Sequence, residues 1–286
     1  MKIHVKTPAK INLFLEIKDK RADGYHNLES IMQTVSLYDE LSFETTNSKN
    51  ISLECNDKTL PCNSINTVYK AVQIIKTYFN IDKGVNIHLK KNIPVGAGLG
   101  GGSSDAAITL ITLTRLWNIR TTKKELEHLA VKLGADVPFF LTGRTALCKG
   151  IGEIVTQLKN IDNLNIVLVN PGFEIQTTSI YKKIKFPLTN QMKIHTIKTH
   201  IFNRTFNKTN AFSCCFNRLE KFVFPEYPEV MNIRNILNNL NCFALMSGSG
   251  ATVFGLFDYI QFETIKLNLK KYNWKVWFVN TTNQSI

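Results

Sequence analysis

Apolar and polar positions alternate along the chain in two periods, and the switches between them mark out its elements. Residues 2–6 and 11–17 read as strands, the second setting Ile11, Leu13, Leu15 and Ile17 against Asn12 and Glu16. A turn at Ala22–Asp23–Gly24 leads to a further strand over 29–36, and 42–45 with 51–55 reads as a strand pair. Over 66–79 the spacing becomes helical, with Val68, Val72, Ile75 and Phe79 on one face. A strand at 85–90 and a glycine-rich run follow. Then come helices over 103–117 and 123–133, the second closed by Gly134 just past its last turn.

The remainder opens with a strand at 165–169, ended by Asn170–Pro171–Gly172. Helical patterns over 212–222 and 229–240, strands at 243–246 and 252–257, a helix over 260–271 and a strand at 275–279 complete the chain. In the first half strands and helices mix without a steady βαβ rhythm. The polar stretch over 155–163 divides 286 residues into two expected domains, 1–158 and 159–286.

Composition adds bounds. The 44% hydrophobic content suffices for a real core, and 20% charged residues are ordinary for a soluble protein. No apolar run approaches the ~20 residues of a membrane helix, and the charged opening at Lys2 and Lys6 does not read as a signal peptide. A cytoplasmic protein with no membrane partner is expected. The six cysteines show neither a C-x-x-C pair nor zinc-ligand spacing, so they read as reduced thiols and no metal ligands are expected. The net charge of +13 fits a nucleic acid, an acidic membrane surface or a polyanionic small substrate such as a nucleotide, and does not choose among them. A nucleic-acid-binding protein is the alternative of another class. Against it, no recognised binding motif is present and the basic residues are spread out. No acidic residue stands between Glu174 and Glu220, so the Asn/Thr/Lys-rich 185–213 stretch is either a basic surface near the substrate or a solvated insertion.

The most informative segment is Pro94–Val95–Gly96–Ala97–Gly98–Leu99–Gly100–Gly101–Gly102–Ser103–Ser104. Five glycines in seven positions are entropically costly, so the backbone there needs their permissive dihedrals or their missing side chains. Between a strand and a helix, such a run turns several N–H groups into one concavity at a positive helix end, which suits a polyphosphate. Ser103 and Ser104 can cap the helix or donate hydroxyls to phosphate and Mg²⁺. The P-loop is excluded because Ser103, not lysine, follows Gly102. Gly96, Gly98 and Gly101 satisfy G-x-G-x-x-G, but the acidic residue a dinucleotide fold wants ~20 positions on would fall at a helix start near Glu125.

Three further groups carry chemistry. Lys10 and Asn12, two apart in an apolar strand, project to one sheet face; alone, Lys10 reads as an edge or surface lysine. Asp136, set among Val137, Pro138, Phe139 and Phe140, is paired, exposed or functional, because an unpaired buried carboxylate is expensive. Ser247–Gly248–Ser249–Gly250 is a second glycine–serine turn between strands. Together the four groups offer a kinase its phosphate cradle, a cation, an acid for the acceptor hydroxyl and a closing loop.

On these motifs the chain resembles the GHMP kinases: P-x-x-x-G-L-G-G-G-S-S-D-A-A from Pro94 to Ala107, Pro8–Ala9–Lys10–Ile11–Asn12–Leu13, Gly134–Ala135–Asp136–Val137–Pro138–Phe139, and Ser247–Gly248–Ser249–Gly250–Ala251. The similarity is dense over 7–150, thin over 185–213 and returns at 243–256. It implies two α+β domains with the active site in the cleft between them. It also implies transfer of the γ-phosphoryl group of Mg·ATP to an alcohol, with Asp136 as catalytic aspartate and Lys10 as catalytic lysine. The glycine run from Pro94 to Ser104, with Lys91 and Asn66, matches the ATP side. Asp23–Gly24–Tyr25–His26–Asn27–Leu28, Gln33 and Leu37–Tyr38–Asp39 are similar to the branch whose acceptor is a cytidine diphosphate-linked methylerythritol of the non-mevalonate isoprenoid route. In that branch Tyr25 and His26 match the pair that recognises the base. Asn12, Thr177, Tyr181, Ser247 and Gly248 also fall on the substrate side. A monomer or weak homodimer is expected, and a kinase for homoserine or mevalonate is the alternative within the family. The family tends to have Asn-Asp where this chain has Asn217–Arg218 ahead of Glu220, a departure expected to leave the chemistry untouched.

Overall fold

The computed structural model describes residues 2–188, 194–203 and 212–282. The first half runs β1 (Lys2–Lys20), β2 (His26–Thr46), β3 (Ile51–Cys55), α1 (Thr67–Tyr78), β4 (Gly84–Lys90), α2 (Gly101–Leu116), α3 (Lys123–Leu133), α4 (Val137–Thr142), β5 (Thr145–Gly150) and β6 (Ile154–Gln157). The second continues with β7 (Asn165–Asn170), α5 (Thr177–Tyr181), α6 (His195–Phe202), β8 (Phe216–Asn217), α7 (Glu220–Val223), α8 (Pro228–Asn239), β9 (Phe243–Met246), β10 (Val253–Phe257), α9 (Phe262–Leu269) and β11 (Lys275–Asn280). Among the described residues these strands make two sheets. One has the order β3-β4-β2-β1-β8, with β5 on the far half of β2 and β6 on β5; the other is β11-β7-β10-β9.

The strands expected at 2–6 and 11–17 are one strand, β1, and those at 29–36 and 42–45 are one strand, β2. Register shifts in the β1–β2 ladder at Pro8/Ala9 and Asn12/Phe14 absorb the irregular pattern that suggested a break. The stretches at 42–45 and 51–55 are not neighbours: β4 lies between them, pairing antiparallel with β2 and parallel with β3. Most of β1 is buried on both faces. Ala9, Ile11 and Leu13 join Leu168, Leu245 and Phe254 of the second sheet in one apolar cluster, so the two sheets share a core at β1. Helices α1 and α2 cover the first sheet through Val72, Ile75, Leu110 and Leu113. Helix α8 covers the second through Val230, Ile233 and Leu237. Each such side chain taken out of water contributes about 1.5–3 kcal/mol.

Helix α2 starts two residues earlier than expected, with Gly100 as its left-handed N-terminal flank (φ +69), so the glycine run feeds straight into it. Helix α3 opens with a reciprocal cap: Thr122 Oγ1 accepts from Glu125 N, and Glu125 Oε2 accepts from Thr122 N. Gly134 ends α3 with extended backbone (φ 161), not the left-handed turn common past a helix end. The helix expected over 212–222 is instead a short helical turn, the two-residue strand β8 and the one-turn α7. The helix expected over 260–271 is a turn at Tyr259–Gln261 running into α9. Within the basic 185–213 stretch, 189–193 and 204–211 lie outside the described residues.

Candidate active site

A cleft of about 960 Å³ runs between the glycine run, the ends of β1 and β2, α5 and the turn after β9. Lys10 stands at its centre. Its backbone N–H donates to Leu99 O (2.9 Å), tying β1 to the glycine run. Its ammonium, almost wholly buried, donates to Asn12 Oδ1 (2.6 Å) and lies 3.5 Å from Asp136 Oδ2. The edge or surface placement that Lys10 alone suggested is therefore corrected: β1 lies between β2 and β8 in its sheet, and the glycine run closes over Lys10. Asn12 Nδ2 donates in turn to Ser30 Oγ (2.8 Å), and Ser30 Oγ to Phe14 O (2.7 Å). This chain of bonds fixes which end of the Asn12 amide faces the lysine.

Asp136 flanks the N-terminus of α4, and Pro138 stands at the start of that helix. The carboxylate makes no capping bond to the helix, is about one-third exposed, and opens into the cleft with Lys10 as its cation. Desolvation is thus partial for the acid and severe for the lysine, an arrangement in which the lysine needs Asp136 and Asn12 more than the acid needs it.

The glycine run forms the opposite wall. Gly98 (φ +75) passes so close to the turn after β9 that an added Cβ would overlap the Ser247 carbonyl. At Gly100 an added Cβ would come within 3.0–3.1 Å of the Phe140 ring and the Lys10 side chain. Glycine is required at both for space and for backbone conformation. The Ser104 hydroxyl is buried at this helix start with no hydrogen-bond partner, and Ser104 does not line the cleft, so its expected place on the ATP side is corrected.

Below the run lies a network that the sequence reading missed. Lys91 Nζ is bonded to Asp39 and to Asp105 Oδ2 (2.9 Å for the latter); Thr7 Oγ1 donates to Asp105 Oδ1 (2.6 Å). Asp39 Oδ1 also accepts from the backbone of Asn92 (2.6 Å) and Ile93 (2.8 Å), the two residues before Pro94. Burial pushes the Asp105 carboxyl up to about 6 against the pull of Lys91. The two acids hold the ammonium above its ordinary value despite its own burial. Lys91, expected on the ATP side, borders the cleft but spends its charge on these acids and serves as the floor of the glycine run. Two acids, Asp39 beside an apolar strand and Asp105 in a helix of small and apolar residues, were the available signal.

Of the other expected residues, Pro94, Val95, Gly96, Ala97, Gly101, Gly102, Ser103 and Asn66 line the cleft. So do Tyr25, His26, Thr177, Tyr181 and Gly248. Asn66 caps α1, accepting from Val68 N, and donates to Pro61 O. Two further expectations are corrected. Leu99 is buried in the core shared by the sheets, and only its backbone serves the site. The buried Ser247 hydroxyl donates to Gly98 O (2.9 Å), so it ties two loops together instead of facing the cleft.

At the far end His26 is buried between Tyr181 (centroids 5.4 Å) and Phe186 (5.7 Å, stacked). Burial, with Lys20 nearby, lowers its pKa, so the imidazole is neutral at pH 7, and its Nε2 has no partner. Tyr25 is 60% exposed at the lip. A neutral ring with one unsatisfied nitrogen beside an exposed aromatic suits a flat, polar-edged ligand. Phe186, which supports the histidine, was not foreseen; it lies in the stretch where the sequence matched no pattern.

GHMP kinases N terminal domain matches residues 66–144, and GHMP kinases C terminal matches 203–273. The chain is 42% identical to the 4-diphosphocytidyl-2-C-methyl-D-erythritol kinase of Clostridium beijerinckii, over 89% of this chain and 90% of that one. It is 37% identical to the kinase of the same name from Clostridioides difficile, over 99% and 97%. A solved 4-(cytidine 5'-diphospho)-2C-methyl-D-erythritol kinase superposes with a TM-score of 0.83 at 31% identity, covering 99% and 100%. A homoserine kinase from Cytophaga hutchinsonii superposes at 0.76 with 18% identity over 99% and 95%, which shows the shared fold. The fold is that of a two-domain GHMP kinase. Within that class, the chain belongs to the 4-diphosphocytidyl-2-C-methyl-D-erythritol kinase family.

Proposed function

We propose that this chain transfers the γ-phosphoryl group of ATP to the 2-hydroxyl of 4-diphosphocytidyl-2-C-methyl-D-erythritol, releasing ADP. The observation that carries the reading is the position of the Lys10–Asp136 pair. It stands in one cleft with the glycine run and with the aromatic pocket around His26. A nucleotide triphosphate on the glycine run and a cytidyl group on Tyr25 and His26 would thus meet at the pair. Asp136 orients the acceptor hydroxyl and takes its proton late, since the transition state of phosphoryl transfer is largely dissociative. Lys10 offsets charge on the transferring group and holds Asp136 in place. Asn12, by accepting from Lys10, aims the ammonium.

Mg²⁺ would enter on the nucleotide, as is usual for that ion. Ser103, which lines the cleft where the glycine run enters α2, would be the residue to meet it. When bound, the ion would neutralise charge on the phosphates. The chain is proposed to act in the cytoplasm as a monomer or weak homodimer. No described helix is long and apolar enough to cross a membrane.

The pocket assignment is tested by Tyr25→Ala and by His26→Ala. Both are expected to raise KM for the cytidyl substrate about tenfold, the worth of a base stacked on an aromatic ring, with KM for ATP unchanged. Equal losses for the two substrates would sink the assignment.

A further inference from the structure

The turn after β9 reaches into the site from the second sheet. The Gly248 backbone lies against the central pair: a Cβ there would stand 3.3 Å from Lys10 Nζ and 3.4 Å from Asn12 Oδ1. Besides the Ser247–Gly98 bond, a buried amide holds this turn. Asn217 is 2% exposed, and its Nδ2 donates both to Met246 O (2.7 Å) and to Gly248 O (2.8 Å); its Oδ1 accepts from Leu219 N (2.9 Å). Glu220 Oε1 accepts from Met246 N (2.8 Å) on the other side of the same residue.

Asn217 is itself anchored to the strand that carries Lys10 and Asn12. Strand β8 pairs parallel to β1, with Asn217 opposite Leu15, and Arg218 N donates to Leu15 O (2.8 Å). Arg218 Nε and Nη2 then meet both oxygens of buried Glu16 at 2.7 Å each. Arg218, the departure from the family pattern, is thus matched by an acid on β1. A forked pair of this kind holds direction as well as distance.

We propose that Asn217 is a positioning residue for the phosphoryl transfer, setting the Ser247–Gly248 turn against Lys10 and Asn12 from the strand on which those two residues stand. The inference rests on the function proposed above. Only a carboxamide supplies two donors and one acceptor in this geometry. A carboxylate of the same shape would turn oxygen toward two carbonyl oxygens. Small displacements at a reacting centre cost far more in turnover than in ground-state binding.

The test compares Asn217→Asp and Asn217→Ala with wild type, in the same assay with Mg·ATP and the cytidyl substrate, with melting curves and amide exchange of the 243–252 segment. For the folded variants kcat is expected to fall about tenfold or more while KM for each substrate moves little. Exchange in 243–252 is expected to quicken. The alanine variant lacks the repulsion and keeps the test alive if the aspartate variant does not fold. A kcat within about twofold of wild type in a folded variant, or unchanged exchange, would overturn the proposal, because a purely structural role lowers the melting temperature alone. If the wild type turns over no acceptor, the functional reading fails on its own, and exchange still decides whether Asn217 holds the turn.

Discussion

Asp136→Asn is expected to lower kcat roughly a thousandfold, within the range seen on losing a positioned acid–base group, with little change in KM for ATP. The amide keeps the shape and can still touch Lys10, but it neither accepts the proton of the acceptor hydroxyl nor balances the buried ammonium. The carboxylate is about one-third exposed and makes no bond to α4, but its loss takes the counter-charge from the buried Lys10 ammonium, so a clear fall in melting temperature is expected as well. The amide oxygen can still accept from Lys10, so the variant is expected to purify as a less stable but folded, ATP-binding protein; steady-state kinetics beside a melting curve separate the two effects. Near-normal kcat would remove Asp136 from its role. A collapse of kcat together with the fold would leave Lys10, not the chemistry, as the reason this acid is needed.

Gly98→Ala is expected to reduce kcat/KM for ATP by roughly a hundredfold, the scale of a ~1 Å misplacement at a reacting centre. The new Cβ would overlap the Ser247 carbonyl, and the residue's φ of +75 disfavours any L side chain. The loop must move away from the turn after β9, breaking the Ser247–Gly98 bond that joins the two. Gly102→Ala offers the contrast: its added Cβ meets only Thr67 Oγ1 at 3.4 Å, and the loss there should be much smaller. Equal effects of the two substitutions would mean that glycine density, not the path of the backbone at Gly98, is what matters.

How far such positions could be read in the sequence depended on how local their cause was. The glycine run, Asp136 and the β9–β10 turn are legible because each compresses its constraint into a few consecutive residues. Helices α1 and α8 were legible because one face of each meets a single core. Strand β1 was misread as two, with Lys10 at an edge. Its second cover is a sheet more than 150 residues further on, and local periodicity carries no trace of such a partner. Over 212–222 the apolar residues Phe212, Cys215, Phe216, Leu219 and Phe222 do fall at helical spacing. Tertiary demand wins there: Asn217 must lie extended on β1 to reach two carbonyls at the site. Asp39, Asp105 and Lys91 show the same limit. Each is an ordinary charge in the sequence, and only folding brings the three together under the glycine run.

The measurement that tests the central claim most directly is ADP release from purified protein with Mg·ATP and 4-diphosphocytidyl-2-C-methyl-D-erythritol, beside parallel samples with homoserine, mevalonate and no acceptor. The site described here predicts turnover with the cytidyl substrate alone, abolished by Asp136→Asn. Turnover with homoserine or mevalonate in preference to it would contradict the assignment of the His26 pocket and, with it, the proposed reaction.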